Sequence, residues 1–297
     1  MYIVYNPTSG KRGLSEKISV DAEAFFTARG QRVKRIASAA AGHIWSLARQ
    51  AAQEKCDTFV IVGGDGSCSE AAGGLAFSDC ALGIIPCGTG NDFCKTAHIP
   101  METDKAMALI ADGSPLKTDV GVINGERIFL NEAGAGFDVD VLRHAEKHKK
   151  HLNGLLPYLL GLLGAALHYK TLRLTYTMNG EQHVNEEMTV CSIANGQFIG
   201  GGIQIAPLAR IDDGQFDIEM LRPIASKRLP ARILTLLRKK ILDMPEMTRW
   251  LSDTVTIESP GMYVNIDGEV VPMERAEMKL LPGALLVYRG REKEGVA

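Results

Sequence analysis

Val62-Gly63-Gly64-Asp65-Gly66-Ser67 closes a short, continuous apolar run, Thr58 to Val62, and precedes a helix that the sequence places from about Ser69. A continuous apolar run ending in glycines is the pattern of a strand buried on both faces. Three glycines let the backbone come close to an anion and expose consecutive N–H groups, and a helix start adds partial positive charge. The stretch therefore reads as a phosphate cradle. Asp65 is the odd member, because a carboxylate beside phosphates repels them unless a divalent cation sits between. That points to a metal–nucleotide rather than a bare dinucleotide. A glycine-rich turn with a capping aspartate is the plainer reading, and short Gly motifs alone leave it open.

The next run of this kind, Ala81 to Pro86, leads into a second turn, Pro86-Cys87-Gly88-Thr89-Gly90-Asn91-Asp92-Phe93. Loops at successive strand ends fall on one edge of a sheet, where open α/β folds bind ligands. The two turns together make one site. Thr89 and Asn91 have the chemistry to hydrogen-bond phosphate or ribose, and Asp92 supplies a second carboxylate for metal. An Asn/Asp helix cap is the alternative for this loop. Neither common nucleotide fingerprint fits: there is no G-x-x-x-x-G-K-[ST], and G-G-D-G-S has the wrong glycine spacing for the dinucleotide motif.

Upstream, Tyr2 to Tyr5 reads as a strand ending in the turn Asn6-Pro7-Thr8-Ser9-Gly10. Helical spacing follows over Leu14 to Arg29, then a strand over Gln31 to Ile36 and a helix over Gly42 to Lys55. This alternation predicts an α/β sheet with helices on its faces. After about Asp119 the texture changes. Strand-like runs cover Val120 to Leu130, Leu172 to Met178, Glu187 to Ala194, Phe216 to Leu221, Thr254 to Glu258 and Met262 to Asp267, and Leu281 to Tyr288 is a last strand that could return to either half. Asn124-Gly125 and Asn179-Gly180 between β-prone runs are hairpin signals, so this half reads as mainly antiparallel. Two helices interrupt it, the apolar run 152–169 and the basic stretch Ser226 to Asp243. The expected organisation is α/β plus β: an α/β domain over 1–121, completed by the C-terminal segment 285–297, and a β-rich domain over 122–284.

With 297 residues, 45% of them apolar, the chain can bury a substantial core, and a formal charge of −2 gives no global attraction to nucleic acid or to an anionic membrane. Six cysteines occur without a C-x-x-C pair or a zinc-type spacing, which suits a reducing cytosol. The opening Met1-Tyr-Ile-Val-Tyr-Asn reads as a strand and not as a signal peptide. Leu152 to Tyr169 holds no Asp, Glu, Lys or Arg over 18 residues, about the minimum for a membrane span. Pro157 and three glycines interrupt it, so a buried or interfacial helix is expected, with a true span and a re-entrant or lid-like element as the alternatives. The seven histidines show no convergent pattern. Along 226–243, Lys227, Arg228, Arg232, Arg238, Lys239 and Lys240 interleave with leucines and isoleucines, as in a helix lying against an anionic bilayer or covering the β domain.

The pairing of GGDGS with GTGNDF, with Asn6-Pro7 opening the chain, resembles the diacylglycerol kinase catalytic domain shared by bacterial lipid kinases, sphingosine kinases and ceramide kinases. The resemblance continues through Lys117-Thr-Asp119-Val-Gly121, Asn131-Glu-Ala-Gly134-Ala-Gly136-Phe137-Asp138, Ala194-Asn195-Gly196, Gly200-Gly201-Gly202, Ala206-Pro207, Asp212-Asp213-Gly214 and Asp267-Gly268-Glu269, in the family's order. It implies an NAD kinase/diacylglycerol kinase-like α/β domain that binds ATP, and a β-sandwich domain that handles lipid. It further implies that Asp65, Asp92 and Asp119 form the acidic cluster handling Mg²⁺ and the phosphates, with Asp65 and Asp119 in the catalytic set. Glu269 matches the general base for the acceptor hydroxyl. Asn6, Ser38, Gly63, Gly64, Asp65, Gly66, Ser67, Ser69, Thr89 and Asn91 make up the nucleotide site on this reading. A second, structural Mg²⁺ falls on Arg210, Asp213 and Gln215, where only Asp213 would use a carboxylate. Departures are Ser67 and Ser38 in place of the family's usual Thr, which keep the hydroxyl, and Ser69 in place of Asn, which loses an amide.

The implied activity is transfer of the ATP γ-phosphate to a lipid hydroxyl, with diacylglycerol first among the acceptors. Expected partners are ATP with Mg²⁺ and a membrane lipid reached by peripheral contact from the cytoplasm, with no nucleic acid; a homodimer is left open. Two other readings compete: a soluble-substrate kinase of the same superfamily, such as an NAD kinase, and a nucleotide-binding regulator without catalysis. An ordinary exposed hairpin carboxylate is the plainer account of Glu269, and a common turn composition that of Asp213.

Overall fold

Two six-residue strands buried along their whole length, Thr58–Gly63 and Ala81–Pro86, pair in parallel, as continuous apolar runs require. The computed structural model to which they belong describes residues 1–149 and 156–290. The chain divides into two compact units, Met1–Asp119 with the stretch beginning at Gly283, and Val120–Pro282.

The first unit runs β1 (Tyr2–Tyr5), α1 (Leu14–Thr27), β2 (Lys34–Ala37), α2 (His43–Gln53), β3 (Thr58–Gly63), α3 (Asp65–Leu75), β4 (Ala81–Pro86), α4 (Asp92–Thr96), α5 (Thr103–Asp112) and β5 (Leu116–Ile123), which crosses the unit boundary. Its strands lie in the order β2-β1-β3-β4, every pair parallel. β1 thus has β2 on one side and β3 on the other, which creates a topological switch point at their carboxyl ends. α1 buries Ile18, Ala22 and Phe26, spaced by four, against Ile3, Val60 and Ile85 of the sheet. Burying a side chain the size of Phe26 contributes about 1.5–3 kcal/mol. One boundary differs from the sequence expectation: α3 starts at Asp65 and not near Ser69. An acidic residue in a first helical turn is favoured by the helix dipole, and the glycine run masks that signal.

The second unit continues with β6 (Arg127–Phe129), β7 (Glu132–Gly136), α6 (Phe137–Lys149), α7 (Leu156–Leu167), β8 (Leu172–Met178), β9 (Glu181–Met188), β10 (Val190–Ala194), β11 (Phe198–Ile199), β12 (Ile203–Gln204), β13 (Phe216–Leu221), α8 (Leu229–Leu237), β14 (Met247–Ser252), β15 (Thr254–Glu258), β16 (Tyr263–Ile266), β17 (Glu269–Pro272) and β18 (Arg275–Val287). One sheet has the order β14-β13-β10-β7-β16-β17, antiparallel throughout. β18, β15, β8 and β9 follow one another in a second sheet, with the β5–β6 hairpin attached to β18. Phe129, Phe216, Ile218, Val255, Ile257 and Met278 fill a common core. This is the expected β-sandwich. A second cluster joins Phe137, Val141, Leu162 and Leu229 of α6, α7 and α8 to Val190 and Leu221, so helices cover the other face of the first sheet. In the first unit, Val287 of β18 pairs in parallel with Leu82 of β4.

Six strands, β7, β9, β11, β12, β14 and β17, and the helices α5 and α6 go beyond the sequence reading. Glu132-Ala-Gly-Ala-Gly136 is made of residues with low strand propensity. The basic stretch 226–243 is not one helix. It breaks into a 3₁₀ turn at Ser226–Arg228, α8, and another 3₁₀ turn at Ile241–Asp243, with Lys239 left-handed at φ 59° ending α8. Of the apolar run 152–169, residues 152–155 lie outside the described residues. The remainder forms α7, and no helix among the described residues is long and apolar enough to cross a membrane. Residues 291–297 of the expected C-terminal completion also lie outside the described residues.

Candidate active site

The carboxyl ends of β1, β3 and β4 carry the predicted loops. Asn6, immediately after β1, donates its backbone N–H to Val62 O (3.2 Å) and Nδ2 to Ser67 Oγ (3.2 Å), while its Oδ1 accepts from Thr8 N (3.0 Å) and Thr8 Oγ1 (2.8 Å). The side chain therefore fastens the β1 loop to the first turn of α3. Ser38 closes β2 on the same edge, its N–H bonded to Tyr5 O at 2.8 Å. Gly64, in extended conformation, precedes α3 without a side chain that could cap it. A helix start of this kind favours an anion beside it.

The second loop lies against the first at backbone contact. A Cβ on Gly88 would sit 2.4 Å from Gly64 Cα, and a Cβ on Gly64 2.9 Å from Gly88 Cα, so neither position admits a side chain. Asn91 adopts φ 50°, and its amide closes the turn by accepting from Gly88 N (3.0 Å) and donating to Gly88 O (2.9 Å). Thr89 is exposed at the tip, and Gly66 and Ser69 lie on the first turns of α3. Asp65 Oδ1 accepts the N–H groups of Asp92 (2.6 Å) and Phe93 (3.3 Å). It caps α4 across 27 residues of sequence. The capping function expected of Asn91 thus falls to Asp65. Asp92 is buried and paired with Lys95 Nζ at 2.8 Å, and Asp119, also buried, accepts Gly283 N at 2.6 Å.

These engagements hold the three aspartates in separate roles, and among the described residues no three His, Cys, Asp or Glu side chains form a group able to hold a metal ion. The expected three-carboxylate cluster is not assembled by protein groups alone. The donor set nonetheless suits magnesium, which typically takes one or two carboxylates and completes its shell with phosphate oxygens and water. Glu70 Oε2, on α3 and buried without a hydrogen-bond partner among the described residues, adds an oxygen that the sequence reading did not assign.

In the second unit, Asp267-Gly268 forms the two-residue turn of the β16–β17 hairpin, with φ 48° and 91°, the left-handed pair a type I′ turn demands. The Asp267 carboxylate accepts the N–H groups of Leu130 (2.7 Å), Asn131 (2.8 Å) and Glu132 (3.1 Å). Asn265 Oδ1 accepts Gly268 N at 2.8 Å, and its Nδ2 donates to Glu132 Oε1 at 2.7 Å and Asp138 Oδ2 at 3.3 Å. Ser192 Oγ donates to Glu132 Oε2. Glu269, the first residue of β17, is exposed and paired with Arg127 Nη2 at 2.7 Å. Burial, and then the neighbouring Asp138, pushes Glu132 well above the ordinary carboxylate range, and burial raises Asp138 to about 6. This buried network under the hairpin was invisible in the sequence, because its members are strung over residues 132 to 265.

Arg210, Asp213 and Gln215 lie on the exposed loop before β13, where Asp213 Oδ1 accepts Gln215 N at 3.1 Å and Arg210 pairs with Asp212 at 3.4 Å. One carboxylate and two main-chain carbonyls are hard oxygen donors of the kind Mg²⁺ takes. Beneath α8 lies a small cavity of about 40 Å³ whose wall includes Phe137, Val190, Leu221, Ile233, Leu236 and Met244.

A parallel α/β unit with two glycine loops in contact at the ends of adjacent strands is thus followed in the chain by an antiparallel sandwich. Residues 1–123 match the diacylglycerol kinase catalytic domain, and residues 131–289 match the YegS C-terminal NAD kinase beta sandwich-like domain. The chain is 31% identical over 291 residues to the "Diacylglycerol kinase" of Mycobacterium tuberculosis (strain CDC 1551 / Oshkosh), covering 96% of this chain and 94% of that protein. It is 33% identical over 243 residues to the "Probable lipid kinase YegS-like" of Enterobacter sp. (strain 638), covering 80% and 79%. A crystal structure from Bacillus anthracis str. Sterne superposes with a TM-score of 0.80 at 26% identity, covering 97% of this chain and 96% of that one. The chain belongs to the diacylglycerol kinase catalytic domain family of lipid kinases.

Proposed function

We propose that the protein transfers the γ-phosphoryl group of ATP to the free hydroxyl of a membrane lipid, with diacylglycerol, giving phosphatidic acid, as the acceptor to test first. The observation that carries the reading is the cradle in which Gly64 and Gly88 meet at backbone contact beside the uncapped start of α3. The name of the mycobacterial relative supports a diacylglycerol acceptor.

On this reading the first-turn amides of α3, with Ser67, Ser69, Thr89 and Asn91, bind the nucleotide phosphates and ribose. Asp65 and Asp92 would hold Mg²⁺, which neutralises charge on the transferring phosphoryl group. Asp119 fixes the strand that returns at Gly283. Glu269 takes the proton of the acceptor hydroxyl, a role its exposure at the head of β17 permits. Leu156, Leu159, Leu163 and Leu167 form an exposed apolar stripe on α7, and Leu234 and Leu237 of α8 are exposed beside Arg238, Lys239 and Lys240. That composition suits peripheral contact with an anionic membrane surface.

Purified protein incubated with Mg²⁺ and radiolabelled ATP against mixed micelles of hydroxyl lipids, alongside Glu269→Ala, tests the proposal. Label in the phosphatidic acid band that disappears in the variant is the expected result. Label on NAD alone would establish the soluble-substrate alternative. ATP binding without any product would establish the regulator.

A further inference from the structure

The carboxyl ends of β3 and β4 carry the cradle, and the amino ends of the same two strands carry a pair of thiols. Cys56 lies two residues before β3 and Cys80 immediately before β4. The strands pair in parallel with Thr58 opposite Ala81, and Ala81 N donates to Asp57 O at 2.9 Å. This register sets the cysteines on neighbouring stretches of chain, about 4.8 Å apart where strands pair. The side chains meet. The Cys80 thiol hydrogen-bonds the Cys56 sulfur, and Cys56 Sγ in turn donates to Thr58 O at 3.2 Å. Both cysteines are free, so the contact is between two thiols.

Exposure divides the pair. Of the six cysteines, Cys56 is the one that is not buried, whereas Cys80 is 2% exposed. Chemistry divides it in the same sense. The hydrogen bond from Cys80 holds the Cys56 thiol below its ordinary range, while that bond and then burial push Cys80 up. Cys56 therefore gives up its proton first, and the thiolate is the form that attacks. Cys87 and Cys191, buried and pushed up by that burial, are of the inert kind.

We propose that Cys56 and Cys80 are a reversible oxidation site, in which Cys56 reacts with a hydroperoxide and Cys80 resolves the product to a disulfide. The Cys56 thiolate attacks one peroxide oxygen and the O–O bond breaks. Sulfur is oxidised to the sulfenic acid, the peroxide is reduced, and the departing hydroxide takes a proton to become water. The Cys80 sulfur then attacks the Cys56 sulfur, the S–O bond breaks, and hydroxide leaves with the Cys80 proton as a second water. Two thiols and one hydrogen peroxide thus give one disulfide and two waters. A disulfide spans Cα atoms about 4.4–6.8 Å apart, a separation that neighbouring strands supply. The closed loop holds residues 57–79, which comprise β3, the glycine turn Gly63–Ser67 and α3, so the bond constrains the segment that carries the cradle.

The test is treatment of the full chain with a few molar equivalents of hydrogen peroxide, followed by intact mass and by peptide mapping without reductant. The expected result is a loss of two hydrogens, a Cys56–Cys80 cross-linked peptide as the main disulfide product, and return to the starting mass with dithiothreitol. Cys80→Ala should stop at a sulfenic acid on Cys56 that dimedone traps. Cys56→Ala should lose thiol to peroxide about tenfold more slowly than wild type. Both thiols left free, disulfides formed at other cysteines or between two copies of Cys56, or Cys56 carried to the sulfinic acid in wild type overturns the proposal. The wild-type peptide map decides between these outcomes even where a substituted chain fails to fold. Phosphoryl transfer plays no part in the readout.

Discussion

Replacing Glu219 by Gln should change how the stability of the sandwich unit depends on pH. Burial and Asp217 raise this carboxyl from an ordinary 4.5 to about 7. The folded protein therefore binds a proton that the unfolded chain releases. For an acid raised in this way, the stabilising effect is full below the unfolded value and is lost as pH rises through the folded one. The displacement corresponds to about 3 kcal/mol lost between pH 4.5 and just above 7. Glutamine does not titrate, so the slope due to this position disappears, while Glu132 and Asp138 contribute equally to both proteins and cancel in the comparison. Trp250, on β14 beside Ile218, reports on this unit, and a Trp45→Phe background removes the other tryptophan. Urea unfolding followed by Trp250 fluorescence at pH 5, 6, 7 and 8 should show wild type losing about 3 kcal/mol more than Glu219→Gln across the range. Superimposable pH curves would refute the reasoning, because they would mean that Glu219 is either hydrated or ionised throughout.

Gly88→Ala should lower ATP affinity by about tenfold or more with secondary structure intact, since the added methyl meets Gly64 Cα at 2.4 Å and overpacking of this kind costs about 1–3 kcal/mol; nucleotide titration checks it, and an unchanged Kd would count against the cradle. Asp65→Asn keeps the oxygen that caps α4 and loses the charge, so its melting temperature should stay near wild type while lipid kinase turnover falls by about a hundredfold. Asp65→Ala should add the loss of the cap, about 1 kcal/mol, to the same catalytic defect. Reversing charge at Arg238, Lys239 and Lys240 should weaken binding to vesicles containing anionic phospholipid, read by sedimentation at low salt, and equal binding would remove α8 from the membrane surface.

The parts of this molecule that were legible in the sequence are those whose physics is local. A buried strand followed by glycines announces both its burial and its loop, and Asn124-Gly125 and Asn179-Gly180 mark hairpin turns because few other pairs tolerate positive φ. β13 shows the limit. Phe-Asp-Ile-Glu-Met-Leu alternates as a half-exposed strand should, with the acids facing water, yet helices from three distant segments cover that face and all six residues are buried. No window of sequence contains the information that the outer face is roofed. The same holds for Asp65, whose partners lie 27 and 28 residues away, and for Asn265, which reaches Glu132 across 133.

Several acidic residues that a motif reading assigns to chemistry are therefore also structural pins. Asp65 starts α4, Asp119 fastens the returning strand at Gly283, and Asp267 gathers three backbone amides beneath the turn that presents Glu269. An alanine at any of them removes a hydrogen-bond acceptor as well as a charge. Lost activity in such a variant cannot separate coordination from collapse of the loop. The amide replacement can, because it leaves an acceptor in place and removes only the charge that a metal or a developing phosphate would feel. Glu269 is the informative contrast. Its ion pair with Arg127 is exposed and worth little to stability at a solvent-facing position, so a deep loss of turnover in Glu269→Ala with an unchanged melting temperature is the signature of a group that acts on the substrate.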